Sequence, residues 1–313
     1  MVQLATNRTA AGGRGGPPGP ALRARGLIGV ARPRQWTKNV LVFAAPVAAG
    51  VVGNGALDLR ALATSALFCL VASGSYFVND ALDAEADRAH PLKRSRPVAA
   101  GLVPARLAIG LGVALEVLAV GLSGLLTWRL AVVLGVYVGV QVAYNLRLKQ
   151  VPVWDLVCVA SGFVLRAIAG GVAVAVPVSQ WFLIVATFGS LLMVTGKRLA
   201  ELLELGEGGG AHRKTLEDYS TTFLRTVLAI SAAGASIGYA LWAFDLRTAL
   251  RHDADPIWFE LSIVPVLVAL LHYTFLVERG EGARPERLVL RDRSLQALGL
   301  VWAVLLVVGV YGH

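Results

Sequence analysis

Asn79, Asp80, Asp83 and Asp87 close an apolar run that reaches Tyr76-Phe77-Val78. At 100° per residue, a continuing helix puts all four in one stripe about 100° wide, so an amide and three carboxylates face one point. Such a cluster is unfavourable at a helix C-terminus, where the macrodipole is negative and like charges repel at i, i+3 and i+4 spacing. A bound cation removes both penalties. Hard oxygen ligands with one amide suit Mg2+, which binds through one or two carboxylates, water and a substrate phosphate. The competing reading is a solvated acidic loop neutralised by Lys93, Arg94 and Arg96.

Directly after the stripe, His90-Pro91-Leu92-Lys93-Arg94-Ser95-Arg96-Pro97 breaks the helix at its prolines and sets three cations beside the acids. Carboxylates that hold Mg2+ next to cations that hold phosphate oxygens form a diphosphate site, although cations in such a loop also follow from membrane orientation alone. Polar residues gather at two later places. Tyr144, Arg147 and Lys149 precede Asp155; Lys197 and Arg198 precede Glu201, a glycine-rich stretch and then Arg213 and Lys214. The glycines follow no strand and lack P-loop spacing, so they read as a hinge, while the basic residues are candidates for phosphate. Arg166 stands alone inside an apolar run, which demands a polar cavity or partner; Asp155 or a phosphate is expected, with Asp155 three turns away on one helix face and so beyond a direct pair. In Arg32-Pro33-Arg34-Gln35-Trp36-Thr37-Lys38-Asn39, Arg34 and Lys38 either anchor the chain at the membrane interface or grip a lipid phosphate. The five histidines follow no zinc spacing, and no Ser-His-Asp pattern supports hydrolysis.

The elements that must position these residues are membrane spans. Of 313 residues, 56% are hydrophobic and 16% charged, against roughly a quarter charged in soluble domains. The apolar residues fall in runs long enough to cross a hydrocarbon core of about 30 Å. This excludes a soluble enzyme, a single-anchor protein and a secreted disulfide scaffold, since Cys69 and Cys158 both lie in apolar runs. Nine spans are predicted, at 39–57, 61–79, 104–126, 130–146, 155–176, 181–198, 222–244, 257–277 and 294–312. The fold class is therefore all-α, a polytopic bundle, with residues 1–25 expected as a disordered cytoplasmic tail and 26–313 as the transmembrane domain. Assigning loops to alternate sides puts 23 of the 29 basic residues on one face. The positive-inside rule makes that face cytoplasmic and holds the N-terminus and the acidic stripe there, in the plasma membrane. The net charge of +9 thus collects around the acids.

Asn79-Asp80-x-x-Asp83-x-x-x-Asp87 at the end of the second of nine spans, with a second polar loop after the fourth, resembles the UbiA superfamily of intramembrane transferases. The resemblance implies a helical bundle and a Mg2+-held diphosphate. At the second site the sequence departs, since only Asp155 stands where the family has an aspartate pair, with Cys158 and Val159 where the second acid is expected. Arg32 to Asn39, Tyr144 to Lys149, Gly196 to Arg198 with Glu201, and Leu290 to Arg293 are similar to the phosphoribosyltransferase branch of that superfamily. The branch implies transfer of 5-phosphoribose from phosphoribosyl pyrophosphate (PRPP) to decaprenyl or another polyprenyl phosphate, a step toward the lipid-linked arabinose donor of cell-wall arabinan. On this reading Asp80, Asp83 and Asp87 are catalytic and, with Asn79, hold Mg2+. Lys93, Arg94 and Arg96 aid the pyrophosphate, Tyr144, Arg147, Lys149 and Asp155 position the ribose or pyrophosphate, Lys197, Arg198, Arg213 and Lys214 take the 5-phosphate, and Arg34 and Lys38 the lipid phosphate. Arg166 completes the candidate substrate-binding set. Partners are PRPP, the polyprenyl phosphate and the bilayer, with no nucleic acid and with homo-oligomerisation open. Prenylation of an aromatic or quinone precursor is the alternative activity.

Overall fold

The computed structural model of the chain describes residues 19–91, 93–206, 216, 218–249 and 257–311. All regular structure among them is helical. Seven helices are long and apolar enough to cross a membrane: Gly55–Leu82, Ala105–Leu126, Trp128–Leu146, Trp154–Ala173, Gln180–Glu204, Thr221–Asp245 and Ile257–Glu278, with Arg293–Gly309 a shorter apolar helix. In chain order the elements are α1 (Pro20–Ala31), a 3-10 helix (Pro33–Phe43), α2 (Ala44–Ala48), α3 (Gly55–Leu82), α4 (Ala84–Ala89), α5 (Ala105–Leu126), α6 (Trp128–Leu146), α7 (Trp154–Ala173) and α8 (Gln180–Gly206). Then follow α9 (Thr221–Ala249), α10 (Ile257–Leu261), α11 (Ile263–Glu278), α12 (Pro285–Arg291) and α13 (Arg293–Tyr311).

Two differences from the sequence expectation bear on the site. The helix α1 begins at Pro20, inside the stretch expected as a tail, because Val30 buries against Val98, Val103 and Phe77; residues 1–18 lie outside the described set. The first predicted run, 39–57, is not one α-helix. Asn54 caps α3 by accepting from the amides of Ala56 and Leu57 at 3.2 and 3.4 Å, so α3 claims the end of that run. Gly50 and Gly53, at φ of +66° and +100°, turn the chain just before it. What remains, Pro33 to Ala48, begins antiparallel to the C-terminal half of α3. Arg32 meets Asp80, Trp36 meets Ser73 and Asn39 meets Cys69, in that order toward the capped end.

Neighbouring helices approach closely where side chains vanish. A β-carbon added at Gly74 would lie 2.7 Å from the Gly112 carbonyl oxygen, and one at Gly112 would lie 2.8 Å from that of Gly74, so α3 and α5 cross backbone to backbone. One apolar cluster joins Phe68 and Val71 of α3 to Leu130 and Leu134 of α6 and Ala169 of α7. A second joins Leu156 of α7 to Leu192 and Leu199 of α8, Leu224 of α9 and Val277 of α11. Large apolar residues such as Val117, Leu125 and Leu300 point outward, as a lipid-facing surface requires.

Candidate functional site

The acidic stripe forms despite a break in the helix. Asp83, at φ −89° and ψ 0°, ends α3 and opens α4. The i to i−4 ladder nevertheless continues through it, with the Asp83 amide donating to Asn79 O at 2.9 Å and the Asp87 amide to Asp83 O at 2.8 Å. The three carboxylates therefore keep their helical directions. Each is held by a cation from elsewhere. Arg32 donates to Asp80 Oδ1 at 2.6 Å, and Arg96 reaches Asp80 at 3.4 Å and Asp87 at 2.7 Å. Lys149 donates to Asp83 Oδ1. Asp80 and Asp87 are buried, 2% and 4% exposed, whereas Asp83 is only partly covered. Asn79 is half-buried next to Asp80.

A second polar cluster centres on Asp155, 1% exposed in the first turn of α7. Arg198 of α8 donates to Asp155 Oδ2 at 3.1 Å and to Glu201 at 2.7 Å. The Tyr219 hydroxyl donates to Asp155 Oδ1 at 2.5 Å and accepts from the Val153 amide at 2.6 Å. Burial first, and then its bond to Asp155, push the Tyr219 phenol above its ordinary range. Tyr144 is close enough to Arg198 to interact with it electrostatically. The loop from Arg147 to Val153 ties the clusters together, since Lys149 grips the stripe while Val153, at φ +69°, reaches Tyr219.

The other sequence-predicted residues distribute unevenly. Of the three cations after the stripe, Arg96 lies on it; Lys93 is half-buried and Arg94 exposed. Arg34 and Arg147 are exposed, Lys38 stands over the Phe163 ring at 5.5 Å, and Lys197 is exposed 3.8 Å from Glu201. Arg213 and Lys214 lie outside the described residues. Arg166 and Asp155, three turns apart on α7, make no direct pair, as their spacing requires: Asp155 takes Arg198, and Arg166 donates to Asn39 at 2.8 Å. Three contributors lie outside the predicted site set. Arg32 and Tyr219 bond the acids directly, and Tyr76 lies under the Arg32 guanidinium at 4.9 Å. Arg32 had one local signal, its position before Pro33, which separates it from the following element.

Chemically, the arrangement offers anionic oxygens and cationic N–H groups side by side in a partly water-excluded site. Among the described residues no group of three or more His, Cys, Asp and Glu is placed to hold a metal ion by itself. Magnesium does not need one, because it keeps waters and phosphate oxygens alongside one or two carboxylates. Carboxylate and amide oxygens on successive turns fit such an ion. The long arms of Arg32, Arg96 and Lys149, which satisfy those oxygens now, are also suited to phosphate.

The UbiA prenyltransferase family model matches residues 40–295. The chain is 47% identical over 298 residues to the decaprenyl-phosphate phosphoribosyltransferase of Corynebacterium glutamicum, covering 93% of this chain and 89% of that protein. It is 48% identical over 290 residues to the protein of the same name in Mycolicibacterium smegmatis, covering 88% and 90%. Among solved structures, a UbiA homolog from Archaeoglobus fulgidus bound to DMAPP and Mg2+ has a similar fold, with a TM-score of 0.69 at 19% identity over 90% of this chain and 97% of that one. The same homolog bound to Cd2+ gives a TM-score of 0.63 at 19% identity, over 91% and 98%. A match over that much of the sequence, carried on an all-helical membrane bundle of the same fold, makes this multi-pass membrane protein a member of the UbiA prenyltransferase family.

Proposed function

We propose that the protein transfers 5-phosphoribose from PRPP to decaprenyl, or another polyprenyl, phosphate and releases diphosphate. The observation that carries this reading is the acidic stripe gripped by Arg32, Arg96 and Lys149. The name shared by two relatives near one-half identity supports decaprenyl phosphate as the acceptor and a phosphoribosyl group as what is transferred. Asn79, Asp80, Asp83 and Asp87 would hold Mg2+, which when bound supplies positive charge to the departing pyrophosphate. The chain's own part is to place cations. Arg32, Arg96 and Lys149 donate to pyrophosphate oxygens as the bond to C1 breaks, with charge-assisted bonds that strengthen as negative charge develops. Arg198, fixed by Asp155 and Glu201, offers a second cationic point beyond the loop for the 5-phosphate, with Tyr144 at the ribose between them. The lipid phosphate is already ionised, so attack on C1 needs no base from the protein. Arg34 and Lys38 would meet that phosphate at the membrane surface. The asymmetry of Lys and Arg supports a cytoplasmic stripe in the plasma membrane, where a water-soluble donor can enter.

The test uses purified protein and Mg2+ with labelled PRPP plus polyprenyl phosphate, and in parallel prenyl diphosphate plus 4-hydroxybenzoate. Label in the lipid product of the first mixture is expected. Product only in the second would replace this reading by aromatic prenylation.

A further inference from the structure

Arg166 is 5% exposed within α7, and its three hydrogen bonds all end on neutral oxygens. Nε donates to Asn39 Oδ1 at 2.8 Å, one terminal nitrogen to Gly162 O at 2.6 Å and the other to the Tyr137 hydroxyl at 3.3 Å. The rings of Phe68 and Tyr137 face the guanidinium at 5.3 and 5.1 Å. A charge placed this deep is costly unless it does something. Here what it grips is the segment Pro33–Phe43.

That segment is unusual in itself, because 3-10 helices rarely exceed three or four residues and this one has eleven. Its two neighbours explain the form. Three residues of 3-10 helix rise about 6 Å, the same as four residues of α-helix. Trp36 and Asn39, three apart, bond Ser73 and Cys69, four apart on α3, at 3.1 and 3.2 Å. On the other side Asn39 and Val42, again three apart, meet Arg166 and Gly170, four apart on α7. Gly170 must be glycine there, since an added β-carbon would lie 1.8 Å from the Val42 carbonyl oxygen. Asn39, 1% exposed, is the residue shared by both rows. As an α-helix the same eleven residues would be about 5 Å shorter, enough to draw Arg32 off Asp80.

We infer that Arg166 is a positioning residue. Through Asn39 it holds Pro33–Phe43 in the longer 3-10 form, and so sets where Arg32, Arg34 and Lys38 present their charges to the substrate anions. The link to substrate rests on the phosphoribosyl transfer proposed above; the clamp itself does not.

Both parts can be read in one set of variants, Arg166→Met, Asn39→Leu and Asn39→Asp, made in a Cys158→Ala background. The Cys69 thiol lies behind Asn39 and reports docking without any activity. Its labelling by a maleimide in detergent micelles is expected to speed up by about tenfold or more in Arg166→Met and Asn39→Leu, the range set by losing one bond to a charged donor. The Michaelis constant for polyprenyl phosphate should rise by a similar factor, with a smaller change for PRPP. Asn39→Asp gives Arg166 a counter-charge and keeps that contact while losing the amide's donation to Cys69, so the Michaelis constants should stay near wild type and Cys69 labelling should not speed up as it does in Asn39→Leu. Were Arg166 instead a direct ligand of a substrate anion, that carboxylate would neutralise it and binding would fail. Loss of binding in Asn39→Asp as severe as in Asn39→Leu, or Cys69 labelling equal in all four proteins, overturns the inference. Absence of phosphoribosyl transfer by the wild type would remove the proposed function and leave the thiol readout standing. If Arg166→Met does not fold, the two Asn39 variants decide the matter alone.

Discussion

Replacing Asp83 by Asn separates a functional acid from an ion-paired one. Asp83 pairs with Lys149, and the two side chains are 26% and 15% exposed. A pair this open contributes about 1 kcal/mol or less to stability. If Asp83 holds the ion that neutralises the leaving pyrophosphate, its loss removes an electrostatic contribution of the kind that costs about a hundred- to a thousandfold in turnover, or about 3 to 4 kcal/mol. Asp83→Asn is therefore expected to unfold within a few degrees of the wild type while losing at least a hundredfold in activity. Asp80→Asn provides the contrast. Asp80 is 2% exposed and carries both Arg32 and Arg96, so its neutralisation should lower stability by about 3 kcal/mol as well as abolish transfer. Thermal unfolding in detergent, followed through the seven tryptophans, gives the first quantity, and label transfer from PRPP at saturating Mg2+ the second. An Asp83→Asn protein with more than about a tenth of wild-type turnover and an unchanged Mg2+ requirement would show the stripe to be a solvated ion-pair network.

Chelating divalent metal should stop turnover and Mg2+ should restore it, with a higher Mg2+ requirement in Asn79→Ala, measured by titrating activity against the ion. Tyr219→Phe removes a donor to buried Asp155 and an acceptor for the Val153 amide; a loss of about 1 to 3 kcal/mol is expected in thermal unfolding at pH 8. Because the Tyr219 phenol is held above its ordinary value of about 10, its contribution is full below that pH and fades as pH rises through the higher folded value. The gap between wild type and Tyr219→Phe should accordingly narrow in strongly alkaline buffer. Gly112→Ala forces a β-carbon to 2.8 Å from the Gly74 carbonyl oxygen, and prying α3 from α5 is expected to cost about 1 to 3 kcal/mol; unchanged unfolding would mean that the crossing gives way freely.

The acidic stripe was readable because a helix fixes side-chain directions within a few residues, and the ladder through Asp83 preserves those directions even where the helix breaks. Arg96 was readable as its neighbour for the same local reason. Arg32 was not: it lies 48 positions from Asp80, and only the antiparallel run of Pro33–Phe43 beside α3 brings them together. Lys149 and Asp83 are 66 positions apart, as are Val153 and Tyr219, and both meetings depend on how the α6–α7 loop seats against two helices. Arg166 was recognised as needing a polar partner, but its partner is Asn39, 127 positions away.

Composition and periodicity alone determined that this chain folds as a multi-pass membrane protein and where its apolar runs lie, because hydration and helix geometry act on each segment separately. Tertiary structure decided which cation holds which carboxylate and that Asp155 belongs to Arg198 rather than Arg166. It also decided that Pro33–Phe43 winds as a 3-10 helix. That last choice belongs to no local propensity: three residues of one helix rise as far as four of another, and only when α3 and α7 stand on either side does this equality select the conformation.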